Sequence, residues 1–531
     1  MKFKIKKNRL FILPIYIFIS ALFFVLGRKY LGMANIAIGV AYFTAVTVFL
    51  CSDLSVENDK YKDWILYLCA GLCLICWFPL ALTSNVAYDP GYTVAMVRHS
   101  LKEIVELCSY DVHSPLYYFI AYAFYNVFGK SICGLKICSL FFMALYFLML
   151  LFPFKRIFGR KVTFYAILVS STLPTLISHC AEPRMYTMAF VSFTALCFLA
   201  YRLMRAFKWS DAVLFGLTSV FCVYIHTYTM IAAVILYLIM AGIIIFGKHK
   251  DKKKMLIYFP INALIVSASY VPWLFVLIRQ FAEKGKYSDE LQKASELTWE
   301  IVTEQFSSVF NPQNWQAVAG LLIFAAMFVI VLIKKSLYIK EMMIYFGIFL
   351  AISILGVFLA STNSPCFMGR YVTCSSFAIV LITSVGLSLI PNRKIAGIIL
   401  LSFMFSGLVV YKNELKVQFD TAGIKAYNEY IDQNVGPEDA ILFSEIHTDM
   451  LTIFHPDAYS LIYGHEDEFN PFTNRETFKK LAQLDKVSGD VYFVCFADRT
   501  PEWYFDCEFE SILTFHYMYY NISLYKMWNW K

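Results

Sequence analysis

The stretch "AYDPGYTVAMVRHSLKEIVELCSYDVHSPLYYF", residues 87–119, lies between long apolar runs and gathers Asp89, Asp111 and His113 into one connection. It falls in a chain of 531 residues that is 59% hydrophobic and only 16% charged. Soluble domains run at about 45–50% apolar and about 25% charged. The mean hydropathy of +0.59 points the same way. The fold class expected is therefore an all-α polytopic membrane protein, and a soluble enzyme is excluded. Acids and an imidazole between spans of such a chain need a reason, because charge near hydrocarbon is costly.

Working outward from this connection, a span needs about 20 apolar residues. Spans are read near 10–27, 31–51, 64–83, 132–152, 162–180, 185–203, 211–226, 228–247, 255–277, 317–333, 342–360, 371–390 and 395–411, about thirteen on the length rule. The basic start "MKFKIKKNR" precedes an apolar run without a small-residue cleavage site, which reads as a signal anchor. With the N-terminus inside, "FKRIFGRK", "RLMRAFK", "GKHKDKKK", "KKSLYIK" and "NRK" all fall in cytoplasmic loops, as the positive-inside bias requires. Arg28 and Lys29 are the one exception. The net charge of +8 is thus assigned to membrane orientation, not to nucleic acid.

Four parts are not ordinary spans. Residues 84–131 form a first outer loop containing two interfacial helices, one amphipathic and one short and aromatic. Residues 279–316 form a second. Residues 1–411 make the transmembrane domain, and 412–531 a soluble unit that the odd span count puts outside the cell. In that unit 421–434 and 473–484 read as helices, and "AILFS" and "DVYFVCFA" as buried strands, giving a small α/β domain. Its His447, His455 and His465 lack metal-ligand spacing and read as a solvated surface. Of the 14 cysteines most lie in apolar runs; Cys495 and Cys507 are the one pair considered for a disulfide.

The polar residues at the outer connections carry the functional reading. Asp89-Pro90 reads as a helix start, with Asp as N-cap and Pro first in the helix, yet a carboxylate there can also accept a proton from a hydroxyl. Ser114-Pro115 repeats the cap pattern, leaving Asp111 and His113 for a dyad, a metal or a phosphate. "HCAEPRMY" brings Glu182, Arg184 and Tyr186 to a short turn, where a Glu182–Arg184 surface pair is the plain alternative. His226 ends another span, and Arg370-Tyr371 follows "STNSPCFMG", where snorkelling to headgroups is the plain reading. The inferred topology puts these residues at one face.

The order of motifs, an early Asp89, then "DVHSPLYY" with "FGKSICGLKICSLFF", "EPRMY", "HTY" and a late "GRY", resembles the membrane glycosyltransferases of family 39 and their bacterial relatives, among them the protein O-mannosyltransferases and the lipid A aminoarabinose transferase. The resemblance covers roughly residues 64–410 and implies the GT-C fold. It implies a sugar donor on a polyprenyl phosphate, an acceptor hydroxyl on a glycan, lipid or protein, and inverting transfer at the extracytoplasmic face of the cell membrane. On that resemblance Asp89 matches the acid that acts on the acceptor, Asp111 and His113 match the second acidic motif, and Arg184 and Arg370 match basic positions near the donor phosphate, with Tyr186 placed beside them in phosphate binding and Glu182, His226 and Tyr371 lining the site. Two departures stand out. Pro90 follows Asp89 where many members have Glu, and Ser114 replaces the first proline of D-x-H-P-P-L. A second carboxylate would then come from Asp111 or Glu182; no cofactor is certain, and a divalent metal is left open.

Other classes stay in view. An envelope polysaccharide polymerase or ligase would transfer a polymer, not one sugar. A lipid or solute transporter should show repeated halves and broken helices at mid-membrane, and no repeat is seen. A non-catalytic scaffold would carry its function in the soluble unit.

Overall fold

The computed structural model describes residues 63–110, 113–247, 251–284, 309–310, 315–334, 338–361, 369–436, 438–443, 488–503, 505–518 and 520–529. The expected signal anchor, the spans at 10–27 and 31–51, most of the second outer loop, the 473–484 helix, the three tail histidines and Asp111 lie outside these residues.

The chain rises along α1 (Asp63–Ala81) and enters α2 (Tyr88–Met96), α3 (Leu101–Tyr110) and α4 (Leu116–Val127). It descends α5 (Ile132–Met149) through a π-turn at Leu150–Phe154, and returns by α6 (Lys155–Thr172) and α7 (Pro174–His179). Next come α8 (Tyr186–Arg205), α9 (Trp209–Ile225), α10 (Thr227–Phe246), α11 (Lys252–Lys284), α12 (Trp315–Ile333) and α13 (Ile339–Ser361). A 3-10 segment at Gly369–Ser375 leads to α14 (Phe377–Leu389), then α15 (Arg393–Phe419) and α16 (Ala422–Asn434). Among the described residues six helices are long and apolar enough to cross a membrane, or seven if the bent pair Gly369–Ser375 and Phe377–Leu389 is one span. This is a polytopic helical membrane protein with a small mixed sheet near its C-terminus.

Several expected spans differ in detail, for local reasons. The 162–180 span breaks at Leu173, whose extended backbone precedes Pro174 at the start of α7; a residue before proline is pushed out of the helical region. The 371–390 span is a 3-10 turn and a helix meeting at 58°. The 211–226 span is the 17-residue α9, ended by His226 in extended backbone.

The ends of the bundle are chemically distinct. At one, Lys155 and Arg160 clamp Asp63 at 2.8 and 2.7 Å, and Arg202 pairs with Asp211 at 2.7 Å. The other gathers the C-terminus of α1, the N-termini of α5 and α8, and the His226 junction. Close helix contact locks the frame: a Cβ on Gly407 of α15 would lie 1.9 Å from the Thr172 carbonyl oxygen of α6. Only glycine permits so near an approach, the usual device where lipid supplies no hydrophobic drive between helices.

The four-stranded sheet has the order β1 (Ala440–Phe443), β2 (Val491–Phe496), β4 (Tyr520–Trp528), β3 (Glu508–Tyr517). β1 and β2 are parallel, and the other pairings are antiparallel. The expected 421–434 helix and both expected strands are present. The β3–β4 hairpin was not expected, because its tight turn at Met518 (φ 55°) uses none of the Asn or Gly residues that mark such turns. Cys495 and Cys507 are free thiols, not a disulfide: Cys495 is buried on β2 and donates to the Arg499 carbonyl.

Candidate active site

The connection between α1 and α5 is, among the described residues, a chain of three short helices, α2, α3 and α4, where two were expected. Ser100 and Glu103 form a capping box at α3, Glu103 Oε2 accepting from Ser100 N–H at 2.6 Å. Arg279 of α11 donates to both the carbonyl and the hydroxyl oxygen of Ser109, at 3.1 Å each. These ties fix the segment leading into α4. The expected caps are each displaced. Ala87, not Asp89, is the N-cap of α2, and Asp89 lies within its first turn. Pro115, not Ser114, caps α4, which starts at Leu116. Proline is tolerated at both places because first-turn N–H groups have no partner within the helix.

Six of the sequence-nominated residues meet at the end of the bundle that carries this region. His113, Arg184, Tyr186 and His226 are buried. Arg184 Nη2 donates to His113 Nε2 at 3.1 Å. The His113 and His226 rings stand 5.5 Å apart, and His226 lies 4.8 Å from the Tyr371 ring. His226 also caps α10, its Nδ1 accepting from Tyr228 N–H at 3.2 Å. Arg370 lies over the Tyr186 ring at 5.9 Å. The 3-10 segment holding Arg370 is tied to α7 by Thr373 and Thr175, whose hydroxyl oxygens are 2.8 Å apart. A bent helix start thus brings an arginine in over the Tyr186 ring.

Glu182 is the seventh. The Glu182–Arg184 surface pair, the plain alternative to a site role, is not what forms among the described residues. The Glu182 carboxylate bonds His179 Nδ1, one helical turn back, and Ser139 of α5 donates to the Glu182 carbonyl. Burial alone would raise the Glu182 carboxyl, but His179, with Arg370 and Arg184 nearby, outweighs it and holds the group below the usual carboxylate range. The turn therefore keeps a carboxylate ionised between an imidazole and two guanidinium groups.

On the other side of the Glu182–His179 pair lies a polar cavity of about 100 Å³. Its wall includes Asn85, Ala87 and Pro90 beside Asp89, together with Lys136, Glu414 and Gln418. Lys136 is buried and donates to Thr83 Oγ1 at 2.6 Å and Gln418 Oε1 at 2.7 Å. Ser178 donates to Glu414 at 3.0 Å. Sequence reasoning passed over His179, Lys136, Glu414 and Gln418. The signals were there: His179 and Glu182 at helical i, i+3 spacing, a lone Lys136 in an apolar run, and Glu414 and Gln418 one turn apart on the last long helix. Below the cluster an apolar groove of about 600 Å³ opens between α5, α8 and α9, lined by Phe142, Leu145, Val191, Leu217 and Phe221 among others.

Among the described residues no three His, Cys, Asp or Glu side chains come together as a metal-holding group. The chemistry on offer is anion binding by two fixed guanidinium forks, flanked by aromatic rings and bordered by an ionised carboxylate.

Comparison with protein-family models gives no match, and comparison with curated proteins gives none either. Solved structures do match. The crystal structure of ArnT from Cupriavidus metallidurans bound to undecaprenyl phosphate superposes with a TM-score of 0.59 at 11% identity, covering 88% of this chain and 98% of that one. The apo state of the same protein gives 0.58 at 10% identity with the same coverage. The chain shares the GT-C fold of this aminoarabinose transferase over most of its length, as the motif order led one to expect.

Proposed function

We propose that this chain is a membrane glycosyltransferase that moves one sugar from a polyprenyl-phosphate donor to an acceptor hydroxyl at the extracytoplasmic face. One observation carries the reading. A fold shared with a protein crystallised with undecaprenyl phosphate holds, at one end of its bundle, the buried Arg184, His113 and His226 in one cluster with the half-buried Arg370. Two guanidinium groups suit a phosphate that gathers charge as it leaves. The groove between α5, α8 and α9 suits an isoprenoid tail, since Val191 lies five residues, about 7.5 Å, along α8 from Tyr186. The lysines and arginines at the opposite end of the bundle support an orientation that puts the cluster and the sheet unit outside.

In this reading the acceptor oxygen attacks the anomeric carbon. The bond from that carbon to the phosphate oxygen breaks with its electron pair on the phosphate, where Arg184 and Arg370 stabilise it. The hydroxyl proton passes to Asp89, and one displacement inverts the centre. Asp111 is the reserve candidate for the base. Glu182, held ionised beside His179, Arg370 and Arg184, balances their charge without being consumed.

The test is transfer from a polyprenyl-phosphate-linked sugar by purified protein in lipid nanodiscs, with membrane extract supplying acceptors. Transfer of a single sugar that is lost in the Arg184→Ala, Arg370→Ala double variant is expected. No transfer with any of a panel of hexosyl and pentosyl donors would overturn the reading, and transfer of a polymer would favour the ligase class.

A further inference from the structure

Segment 83–87, between α1 and α2, has no regular secondary structure. Its conformation is therefore set by whatever its polar groups bind. Four of its bonds run to the end of α15 and to the sheet unit. Thr83 donates to Gln418 Oε1 at 3.1 Å, and Lys136 bridges the same two groups. Asn85 Nδ2 donates to the carbonyls of Gln418 and Asp420 at 3.0 and 3.1 Å. Val86 N–H donates to the hydroxyl of Tyr517, on β3, at 3.1 Å. Both ends of that last bond are sealed from solvent, Val86 at 1% and Tyr517 at 0% exposure. Ala87 packs against the hydrophobic core of the sheet unit. It is also the N-cap of α2 and has no side-chain oxygen to hold the cap, so the entry angle of α2 is left to these outside contacts.

The helix so held is the one whose first turn carries Asp89 and borders the polar cavity through Ala87 and Pro90. Asn85 contributes to the same wall an Oδ1 that is buried and makes no hydrogen bond among the described residues. From the membrane-side half the segment is held at Thr83, by Lys136 and Cys133 of α5, and Val86 packs into the helical core; the Asn85 amide and the Val86 N–H bond instead to the end of α15 and to β3.

We propose that the C-terminal sheet unit is a working part of the transfer site: Tyr517, with Gln418 and Asp420 at the end of α15, sets the position of the Asp89 turn through Val86 and Asn85. This rests on the glycosyltransferase reading given above. Tyr517 and Asn85 are positioning residues, acting through α2 on the reacting groups. Misplacing a reacting group by about 1 Å can cost about 10²-fold in rate, so loss of one of these bonds should show in turnover and not in donor capture, which belongs to the arginine cluster.

The experiment uses the full chain in nanodiscs. Tyr517→Phe keeps the buried ring and removes only the hydroxyl. Asn85→Asp keeps the shape, removes the amide donor and sets an acceptor against two carbonyls; it serves where the first variant is poorly folded. Three quantities are measured: kcat and donor KM for transfer from a polyprenyl-phosphate-linked sugar, amide hydrogen exchange over 83–96, and thermal stability. The expected result is a kcat lower by about 10-fold, within the penalty for misplacement, with donor KM unchanged and faster exchange at 86–91. Wild-type kcat in a folded variant overturns the proposal, as does an equal loss spread over kcat and donor binding. A wild-type protein that transfers nothing instead overturns the functional reading on which the proposal rests, and the two failures are told apart by the wild-type control.

Discussion

Arg184 Nη2 and His113 Nε2 lie 3.1 Å apart in the protein interior. A guanidinium carries only donors, so the imidazole nitrogen must accept. That fixes His113 as the neutral ring with its proton on Nδ1. The arginine is thereby aimed by a group that adds no charge of its own to the site.

The first prediction follows from that pair. His113→Leu leaves a buried guanidinium short of an acceptor and should cost about 1.5–3 kcal/mol, the worth of a hydrogen bond to a charged group. His113→Gln retains an acceptor oxygen and should lose less. Thermal unfolding of the two purified variants against wild type decides it; equal stability would mean the bond contributes nothing.

The arginines should separate by chemistry as well as charge. Arg184→Ala and Arg370→Ala should each weaken donor use strongly, and the lysine variants should recover only part, because an ammonium lacks the planar fork. The measurement is donor KM and capture of a photoactivatable polyprenyl phosphate. Unchanged capture in both alanine variants would leave these side chains as membrane-edge anchors.

Asp89→Asn is the sharpest probe of the proposed base. Asp89 is in the first turn of α2 and not at its cap, so a neutral amide forfeits only the interaction with the helix dipole, about 0.3–1 kcal/mol. Removing a general base costs about 10²–10⁴-fold. Stable protein with donor capture intact and little transfer is expected. Near-normal transfer moves the search to Asp111.

Glu182 should give stability a defined pH dependence. Its folded pKa is held below the ordinary range. Its contribution is therefore fully present above the unfolded value and lost as pH falls through the lower folded one. The difference in thermal stability between wild type and Glu182→Gln should stay constant from neutral pH down into the usual carboxylate range and shrink only below it. A difference that grows on acidification contradicts the assignment.

Orientation can be checked without chemistry. A reporter active only in the cytoplasm, fused after Lys531, should be silent. Strong signal there would put the cluster on the wrong side for an extracytoplasmic donor head.

Much of this was legible in the chain. Long apolar runs set the helices, because in lipid every backbone group must be satisfied within the element. Basic loops suggest the direction, which the reporter fusion tests, and polar and aromatic residues at the span ends and turns named six members of the cluster. What escaped is tertiary. The Glu182 partner could not be chosen between Arg184 and His179 from spacing alone. Lys136 is unremarked in "GLKICSLFF" until Thr83 and Gln418, far away in sequence, close around it. The 3-10 break at Arg370 follows from packing against α7 and α8, not from any residue that forbids a helix.

The unbroken run of α15 from Arg393 to Phe419 has a consequence for how this protein can vary. It is a shaft that enters at one end of the bundle and delivers the sheet unit at the other, presenting Glu414 and Gln418 on the way. A helix turns about 100° and advances about 1.5 Å per residue. A single inserted or deleted residue between Gly407, locked against Thr172, and Gln418 would swing the sheet unit a quarter-turn out of phase with segment 83–87. Seven residues would restore the phase to within about 20° but lift the unit by two turns. The length of this helix is therefore as constrained as the identity of the residues it carries.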